Sequence, residues 1–234
     1  ISFADATAKL DMNTATSVLS VYGNFTVAAT GHAVFSNWTA GAKIKFTGPT
    51  ATQTIGGAGF PVNNAAPFSF MEVQVDKLAG TKLATGGGGI RIGFGTSLEV
   101  VSGTFELTGS DDIEGRSLTG TTTGGPFVPI ITVQSAGVFR LAGVNSHIRS
   151  GNSIGDNDSK IGKLTVHGIA SFTSGQANRL NFNDVDIMTG GLVEFRSAGT
   201  VDSTFNPGIV TVMNGGTFRS ATNAGLVLTY WYHN

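Results

Sequence analysis

Three related segments decide the fold: Val166-His-Gly-Ile-Ala-Ser-Phe172, Thr189-Gly-Gly-Leu-Val-Glu-Phe195 and Val212-Met-Asn-Gly-Gly-Thr-Phe218. Their final phenylalanines are 23 residues apart. The same offset relates two further columns, which consist of Leu164, Ile187 and Val210 and of Val166, Thr189 and Val212. A fixed period with glycine turns between alternating segments predicts a stack of equivalent units.

Earlier copies of the unit carry insertions. Ile131, Val133 and Phe139 lie 33 residues before Leu164, Val166 and Phe172, and the ten additional residues match the polar segment 149–160, which we expect to be a loop. The copy at 98–107 is followed by an expected excursion at 110–126. Nearer the N-terminus, 18–27 and 34–38 keep the alternation without a clean period.

A period near 23 residues fits one circuit of three short strands joined by turns. We therefore predict an all-β right-handed parallel β-helix, a solenoid with rungs of about 23 residues and loop insertions. Phe172, Phe195 and Phe218 should stack as an internal aromatic ladder. The alternative is a jelly-roll β-sandwich, which also has short alternating strands and glycine-rich turns.

The 234 residues are predicted to form a single β-solenoid domain. Residues 1–45 form less regular N-terminal rungs or a cap, 46–228 form the rung stack, and 229–234 form an aromatic C-terminal cap or contact. Charged residues are only 12% of the chain and glycine occupies 34 positions, which favours turns and strands over helices. We expect almost no helix.

Charge and composition exclude several partners. The net charge is −1, and the lysines and arginines are scattered along the sequence, which argues against nucleic acid as a partner. No apolar run approaches the roughly 18 residues of a membrane span, so direct membrane insertion is not expected. The chain has no cysteine, which excludes disulfides and cysteine metal sites. Together with abundant Thr, Ser, Asn and Gly, this composition favours an extracellular, cell-surface protein.

Carboxylate pairs are the main candidates for chemistry. Asp184 and Asp186 are predicted to share one strand face, about 7 Å apart at Cα, whereas Asp111-Asp112 and Asp156-Asn-Asp158 are expected in loops. No cluster of Arg, Lys, Tyr and Trp accompanies the first pair to bind a sugar acid, so a solvated strand face is favoured over a glycosidase pair.

The remaining polar residues give no site. Lys160 takes a position in the 156–160 loop where calcium would need an oxygen ligand. The four histidines, His32, His147, His167 and His233, are expected on different rungs. We predict no catalytic residue, no cofactor and no metal ligand, and expect that the protein is not an enzyme.

The C-terminal segment differs in composition from the rest of the chain. Tyr230, Trp231 and Tyr232 are three consecutive aromatic residues after a predicted strand. They are candidates either for a cap over the end of the core or for a subunit contact, because an open solenoid end presents unpaired strand edges.

Four segments carry a family resemblance: Phe46-Thr-Gly-Pro-Thr-Ala-Thr-Gln-Thr-Ile55, Phe68-Ser-Phe-Met-Glu-Val-Gln-Val75, Gly86-Gly-Gly-Gly-Ile-Arg-Ile92 and Ser97-Leu-Glu-Val-Val-Ser-Gly-Thr-Phe-Glu-Leu107. Over residues 18–228 the chain resembles the repetitive right-handed parallel β-helix regions of bacterial cell-surface and autotransporter-like adhesins and extracellular fibre proteins. The resemblance rests on recurring patterns and implies extracellular stalks, fibres and adhesins.

These observations lead to one functional expectation and two alternatives. We expect a non-catalytic structural or adhesive module of an extracellular bacterial surface fibre or filament, which self-associates through its solenoid ends into a homo-oligomer. Its partners are then other copies of itself and surface carbohydrate. The alternatives are a β-helical polysaccharide lyase or glycoside hydrolase and a trimeric phage tail fibre or tailspike segment.

Overall fold

A computed structural model describes residues 1–3, 10–12, 14–27, 35–38, 41–57, 69–86, 91–115, 130–143, 146–150, 161–174, 179–197, 204–220 and 227–228. Within these ranges the backbone forms strands, turns and irregular segments, and no helix is present. The prediction of an all-β chain is therefore confirmed for the described residues.

The described residues form twenty strands. In chain order they are β1 Ser2–Phe3, β2 Leu10–Met12, β3 Val18–Val21, β4 Phe25–Val27, β5 Phe35–Trp38, β6 Lys43–Gly48, β7 Thr52–Gly56, β8 Ser69–Lys77, β9 Lys82–Thr85, β10 Arg91–Leu107, β11 Asp112–Gly115, β12 Ile130–Leu141, β13 His147–Ser150, β14 Ile161–Val166, β15 Ile169–Ser174, β16 Arg179–Ile187, β17 Leu192–Ser197, β18 Thr204–Val212, β19 Thr217–Ser220 and β20 Val227–Leu228.

Eighteen of these strands belong to one hydrogen-bonded sheet, and β2 and β5 form a separate pair. Every pairing between the described strands is parallel. Parallel neighbours need a long connection, so each strand pairs with segments 21 to 35 residues away. This pairing disagrees with the jelly-roll alternative, whose strands are antiparallel.

The large sheet consists of three ladders of parallel strands. Ladder 1 contains β3, β6, the end of β8, residues 97–100 of β10, 130–133 of β12, β14, 184–187 of β16 and 209–212 of β18. Ladder 2 contains β1, β4, β7, β9, residues 104–107 of β10, 138–141 of β12, β15, β17 and β19. Ladder 3 contains the starts of β8, β10, β16 and β18 together with β11, β13 and β20.

From β10 onwards the chain visits ladders 1, 2 and 3 in turn. We number the levels of ladder 1 from β3 (level 1) to β18 (level 8), and those of ladder 2 from β4 to β19 in the same way. Strands β10 and β12 each contribute residues to both ladders. Level 4 (β10) and level 5 (β12) are therefore at the same height in ladder 1 and in ladder 2. Strands β1, β3 and β4, within the segment expected to be less regular, also pair in these ladders.

One continuous hydrophobic core lies between the ladders. Because side chains alternate along a strand, each ladder turns one column inward at every second position. In ladder 1 one inward column is at most 1% exposed from level 1 to level 7: Val21, Phe46, Val75, Val100, Val133, Val166 and Ile187. The core is therefore a stack of equivalent side chains, as the repeat predicted.

Aromatic rings run through this core along ladder 2. Ring centroids of Phe105, Phe139, Phe172, Phe195 and Phe218 follow one another at 5.8, 6.1, 5.2 and 5.8 Å. These separations are typical of interacting aromatic pairs. The predicted aromatic ladder is confirmed, and it continues to Phe139 and Phe105.

The uniform 23-residue register is only partly correct. Phe172 pairs with Phe195, but Phe195 pairs with Ser220, so Phe218 lies beside Val193. In ladder 1, Leu164 pairs with Val185 rather than with Ile187, and Val185 pairs with Val210. Thr189 lies in a turn and not in a column. A shift of two residues keeps the same face inward, so the burial pattern tolerates it.

The prediction that residues 110–126 leave the stack is wrong for residues 112–115, which form a strand. Asp112–Gly115 forms β11, which pairs with β10 and β13, and Ile113 is fully buried. The polar sequence around Ile113 concealed this short strand, because a single inward apolar residue gives little periodicity. In the expected loop at 149–160, Arg149 and Ser150 belong to β13, and the rest lies outside the described residues.

Glycine turns connect ladder 1 to ladder 2 at the last two levels. Gly190 and Gly215 take equivalent positions with φ of 80° and 81°, a region that favours glycine. The next residues, Gly191 and Gly216, pass so close to the preceding level that a Cβ would lie 2.1 and 2.6 Å from the carbonyl oxygens of Val166 and Ile187. The Gly-Gly pairs of the repeat thus permit both the turn and the close stacking.

Candidate functional site

The aromatic residues proposed for a subunit contact, Tyr230, Trp231 and Tyr232, lie outside the described residues. Level 8, the last level of ladders 1 and 2 among the described residues, is described, however. Val212 occupies the inward column of ladder 1 but is 48% exposed, whereas its partner Ile187 is fully buried. Ile209 and Met213, at the outward positions on either side of the inward Val210 and Val212, are 57% and 41% exposed. Level 8 therefore presents an apolar surface where the preceding levels have a closed core.

The strand edges at level 8 coincide with this apolar surface. Within the described chain, residues 209–212 of β18 pair only with β16, and β19 pairs only with β17. Backbone groups on the other edge can pair with a further strand, as at any sheet edge. Level 8 thus combines apolar side chains with available strand edges.

The structure places Asp184 and Asp186 on the outer face of ladder 1, as predicted, with Val185 and Ile187 buried behind them. The ammonium group of Lys163 on the neighbouring strand forms an ion pair with Asp186. The hydrogen bond with Asp186 raises the pKa of Lys163. The two acids therefore share one lysine, and this group of three carries a net charge of −1.

The expectation that Asp111 and Asp112 lie in a loop holds for Asp111 and is wrong for Asp112, which belongs to a strand. Asp111 immediately precedes β11, Asp112 begins it, and both side chains are buried. Oδ1 of Asp112 accepts the backbone N–H of His147 at 2.7 Å and lies 3.0 Å from Nδ1 of its ring. The hydroxyl of the adjacent Ser146 donates to the carbonyl of Gly109 at 3.3 Å.

Glu194 on the outer face of ladder 2 is the centre of a second charged group. Its carboxylate accepts hydrogen bonds from Arg196 at 2.6 Å, from Ser171 at 2.9 Å and from Arg219 on the next strand. Although burial raises the pKa of Glu194, the donated hydrogen bonds from Arg219, Arg196 and Ser171 outweigh it and lower the pKa below the usual range. The carboxylate side chain is 3% exposed, while the two arginines are at least half exposed.

Glu106 is the centre of a similar group three levels earlier. Lys82 lies 2.6 Å and Arg140 3.4 Å from its carboxylate oxygens. As with Glu194, one shielded carboxylate meets two more exposed cations. Both cations of Glu106 lie on neighbouring strands, whereas Arg196 lies on the same strand as Glu194. Each group therefore carries a net charge of +1 on the outer face of ladder 2.

An internal polar pair lies near the start of the stack. Gln53 is completely buried and donates from its amide nitrogen to the carbonyls of Val21 and Gly23 at 2.8 and 2.6 Å. Its amide oxygen accepts a hydrogen bond from the Lys77 ammonium at 3.2 Å. Burial lowers the pKa of Lys77. The pair ties β7 to β8 and to the turn after β3.

The arginines and carboxylates of ladder 2 were missed at the sequence level. The signal was present in the repeat: Arg140, Arg196 and Arg219 each follow a phenylalanine of the aromatic ladder. A residue next to an inward phenylalanine faces outward, so these arginines are brought to one face. The description of the basic residues as scattered holds along the sequence but not on the surface.

Among the residues that the structure describes, no group of three or more His, Asp or Glu side chains could hold a metal ion. The described part of the chain also contains no helix long and apolar enough to cross a membrane. A scan against protein-family models and searches of curated proteins and of solved structures each found no match for this chain.

Proposed function

We propose that this chain is a right-handed parallel β-helix and a non-catalytic structural module of an extracellular bacterial surface fibre, in which copies associate through the ends of the stack. Three parallel ladders that the chain visits in turn, around one core, support the solenoid. The resemblance to surface-fibre regions supports the extracellular location.

The observation that carries the self-association is the exposure of level 8. A stack that is stabilised mainly by neighbouring levels loses apolar contacts at an uncovered level. Val212 is 48% exposed, compared with at most 1% for its seven equivalents. Burial of such a surface by another copy is favourable at roughly 25 cal/mol per Å2 of apolar area. Contact between unlike ends does not close, so it extends into a filament.

Sedimentation over a concentration series tests this proposal with two matched variants. Val212→Asp places a charge on the level 8 surface and should abolish end-to-end growth. Leu78→Asp places the same charge on a 60% exposed leucine in the turn after β8, away from the ends, and should associate as the parent chain does. A parent chain that stays monomeric throughout, or equal behaviour of both variants, would contradict end-to-end association.

A further inference from the structure

The outer faces of ladders 1 and 2 carry opposite net charges. Ladder 1 presents three lysines and five carboxylates, a net charge of −2: Lys43, Lys45, Lys163, Glu72, Asp76, Glu99, Asp184 and Asp186. Ladder 2 presents four cations and two carboxylates, a net charge of +2: Lys82, Arg140, Arg196, Arg219, Glu106 and Glu194. The two faces are therefore complementary to each other.

On ladder 1 the surplus negative charge is localised. Lys43 pairs with Glu72 at 3.9 Å, and Lys45 pairs with Asp76 at 2.6 Å. Glu99 on β10 instead accepts hydrogen bonds from two neutral amides, those of Gln74 at 3.0 Å and Gln134 at 2.6 Å. Asp184 on β16 shares Lys163 with Asp186. The surplus thus lies at levels 4 and 7.

On ladder 2 the surplus positive charge lies at the same two levels. The group around Glu106 is centred on β10, level 4, and the group around Glu194 is centred on β17, level 7. Three levels of a parallel sheet separate the charge centres on both faces, roughly 14 Å at about 4.8 Å per level. A neighbouring copy at the same height would therefore set each surplus negative charge against a surplus positive one.

Apolar side chains occupy the levels between these charge centres. Ile130 at level 5 of ladder 1 is 40% exposed, and Ile169 at level 6 of ladder 2 is 37% exposed, with half-buried Val138 next to it. An apolar centre with charged groups on either side is a common arrangement of protein interfaces. Eight levels of five-residue strands give a face of roughly 650 Å2, or about 1,300 Å2 for two copies, which falls within the range of specific interfaces.

We propose that ladder 1 of one copy docks against ladder 2 of a second copy, side by side and at the same height. This inference extends the proposed self-association from the ends of the stack to its sides. Because the contact joins two different surfaces, it repeats around a ring or along a row of parallel copies. The electrostatic match sets which faces meet and their relative height.

A pair of neutralised carboxylates tests the side contact. Glu99→Gln with Asp184→Asn removes the surplus charge of ladder 1 with little change of shape. The control, Lys43→Gln with Glu72→Gln, removes an ion pair from ladder 1 and leaves the net charge of that face at −2. Sedimentation velocity of the full chain is measured at about 50 mM and about 0.5 M NaCl, where screening of surface charges differs strongly.

We expect the first variant to weaken association about tenfold at low salt, as two surface ion pairs would, and the control to leave it unchanged. High salt should weaken association of the parent chain and of the control. An equal loss in both variants, or association that is insensitive to salt, would overturn the side contact. Association that requires an added acidic polysaccharide would also overturn it, because the partner of ladder 2 would then be a carbohydrate.

Charge reversal provides a second, independent test. In chains that also carry Val212→Asp, which removes the end contact, the variants Glu99→Lys with Asp184→Lys and Arg140→Glu with Arg219→Glu should each fail to associate alone, and an equimolar mixture should associate again. If circular dichroism shows that the arginine variant does not fold, the neutralised pair decides the question alone. Failure of Val212→Asp to shorten filaments, with the salt-dependent contact intact, would instead refute the end contact alone.

Discussion

Gly103 and Gly80 show how closely a single residue can be constrained by the neighbouring level. Both have a positive φ, 69° and 79°. A Cβ at Gly103 would lie 2.5 Å from Cβ of Lys77 and 3.0 Å from the carbonyl oxygen of Thr81, whereas a Cβ at Gly80 would have no atom within 4 Å. The two positions share the backbone strain and differ in the available space.

Alanine at each glycine separates these two effects. We expect Gly103→Ala to lower the free energy of unfolding by about 2–4 kcal/mol, through a left-handed backbone and an overpacked contact. Gly80→Ala should cost about 1 kcal/mol, from the backbone alone. Urea denaturation measures both values, and equal losses would show that β8 and β10 are not packed as closely as described.

Glu194 makes the stability of ladder 2 depend on pH in the acid range. Its pKa is below the usual 4.5 in the folded chain, so its ionised form stabilises the fold above that pH, and this contribution is lost as the pH falls through the folded pKa. Glu194→Gln should therefore flatten the decrease in stability below pH 4.5. Ser171→Ala, which removes one of the hydrogen-bond donors, should flatten it in part.

Denaturant midpoints measured between pH 2 and pH 7 provide the test. The parent chain should lose more stability than Glu194→Gln over the acid part of this range. Parallel curves for the two proteins would show that the arginines do not stabilise the Glu194 carboxylate.

At the scale of elements, the aromatic ladder links five successive strands of ladder 2. Phe139 is fully buried between two other rings, whereas Phe218 is only partly buried. Phe139→Ala should lower the free energy of unfolding by about 3–5 kcal/mol, because it leaves a cavity that the stack cannot close.

Phe218→Ala should cost clearly less, because part of that side chain is already in contact with solvent. Both variants can be compared by thermal and urea denaturation. A larger loss at Phe218 than at Phe139 would contradict the assignment of level 8 as an exposed end of the stack.

The sequence predicted the strands and the inward residues better than their pairing. A repeat of glycine turns and alternating segments identifies Phe172 and Phe195 as core partners, and the structure pairs them. The repeat could not distinguish Ile187 from Val185 as the partner of Leu164, because both residues face inward and lie two residues apart. The spacing of a repeat therefore gives the face of a residue but not its exact neighbour.

The charged faces could not be predicted because they depend on that pairing. Glu194 and Arg219 are 25 residues apart in sequence, and Glu106 and Arg140 are 34 apart. Only the register brings Arg219 to Glu194, and Lys82 and Arg140 to Glu106. The 48% exposure of Val212 likewise could not be predicted, because alternation gives the face of a residue but not how much of it a neighbouring level covers.

For the whole molecule, the two proposed contacts would give two directions of growth with different chemistry. Level 8 is apolar and has available strand edges, so contacts there should depend weakly on salt. The outer faces of ladders 1 and 2 have opposite charge and should depend strongly on it. Salt should therefore change the thickness of an assembly more than its length.

Negative-stain electron microscopy of the purified chain over a concentration series tests whether copies associate end to end into a fibre. We predict filaments that lengthen with concentration and have an axial repeat of roughly 40 Å, the height of eight stacked levels at about 4.8 Å each. In Val212→Asp these filaments should be absent. Discrete particles of one size at every concentration would contradict a self-associating fibre module.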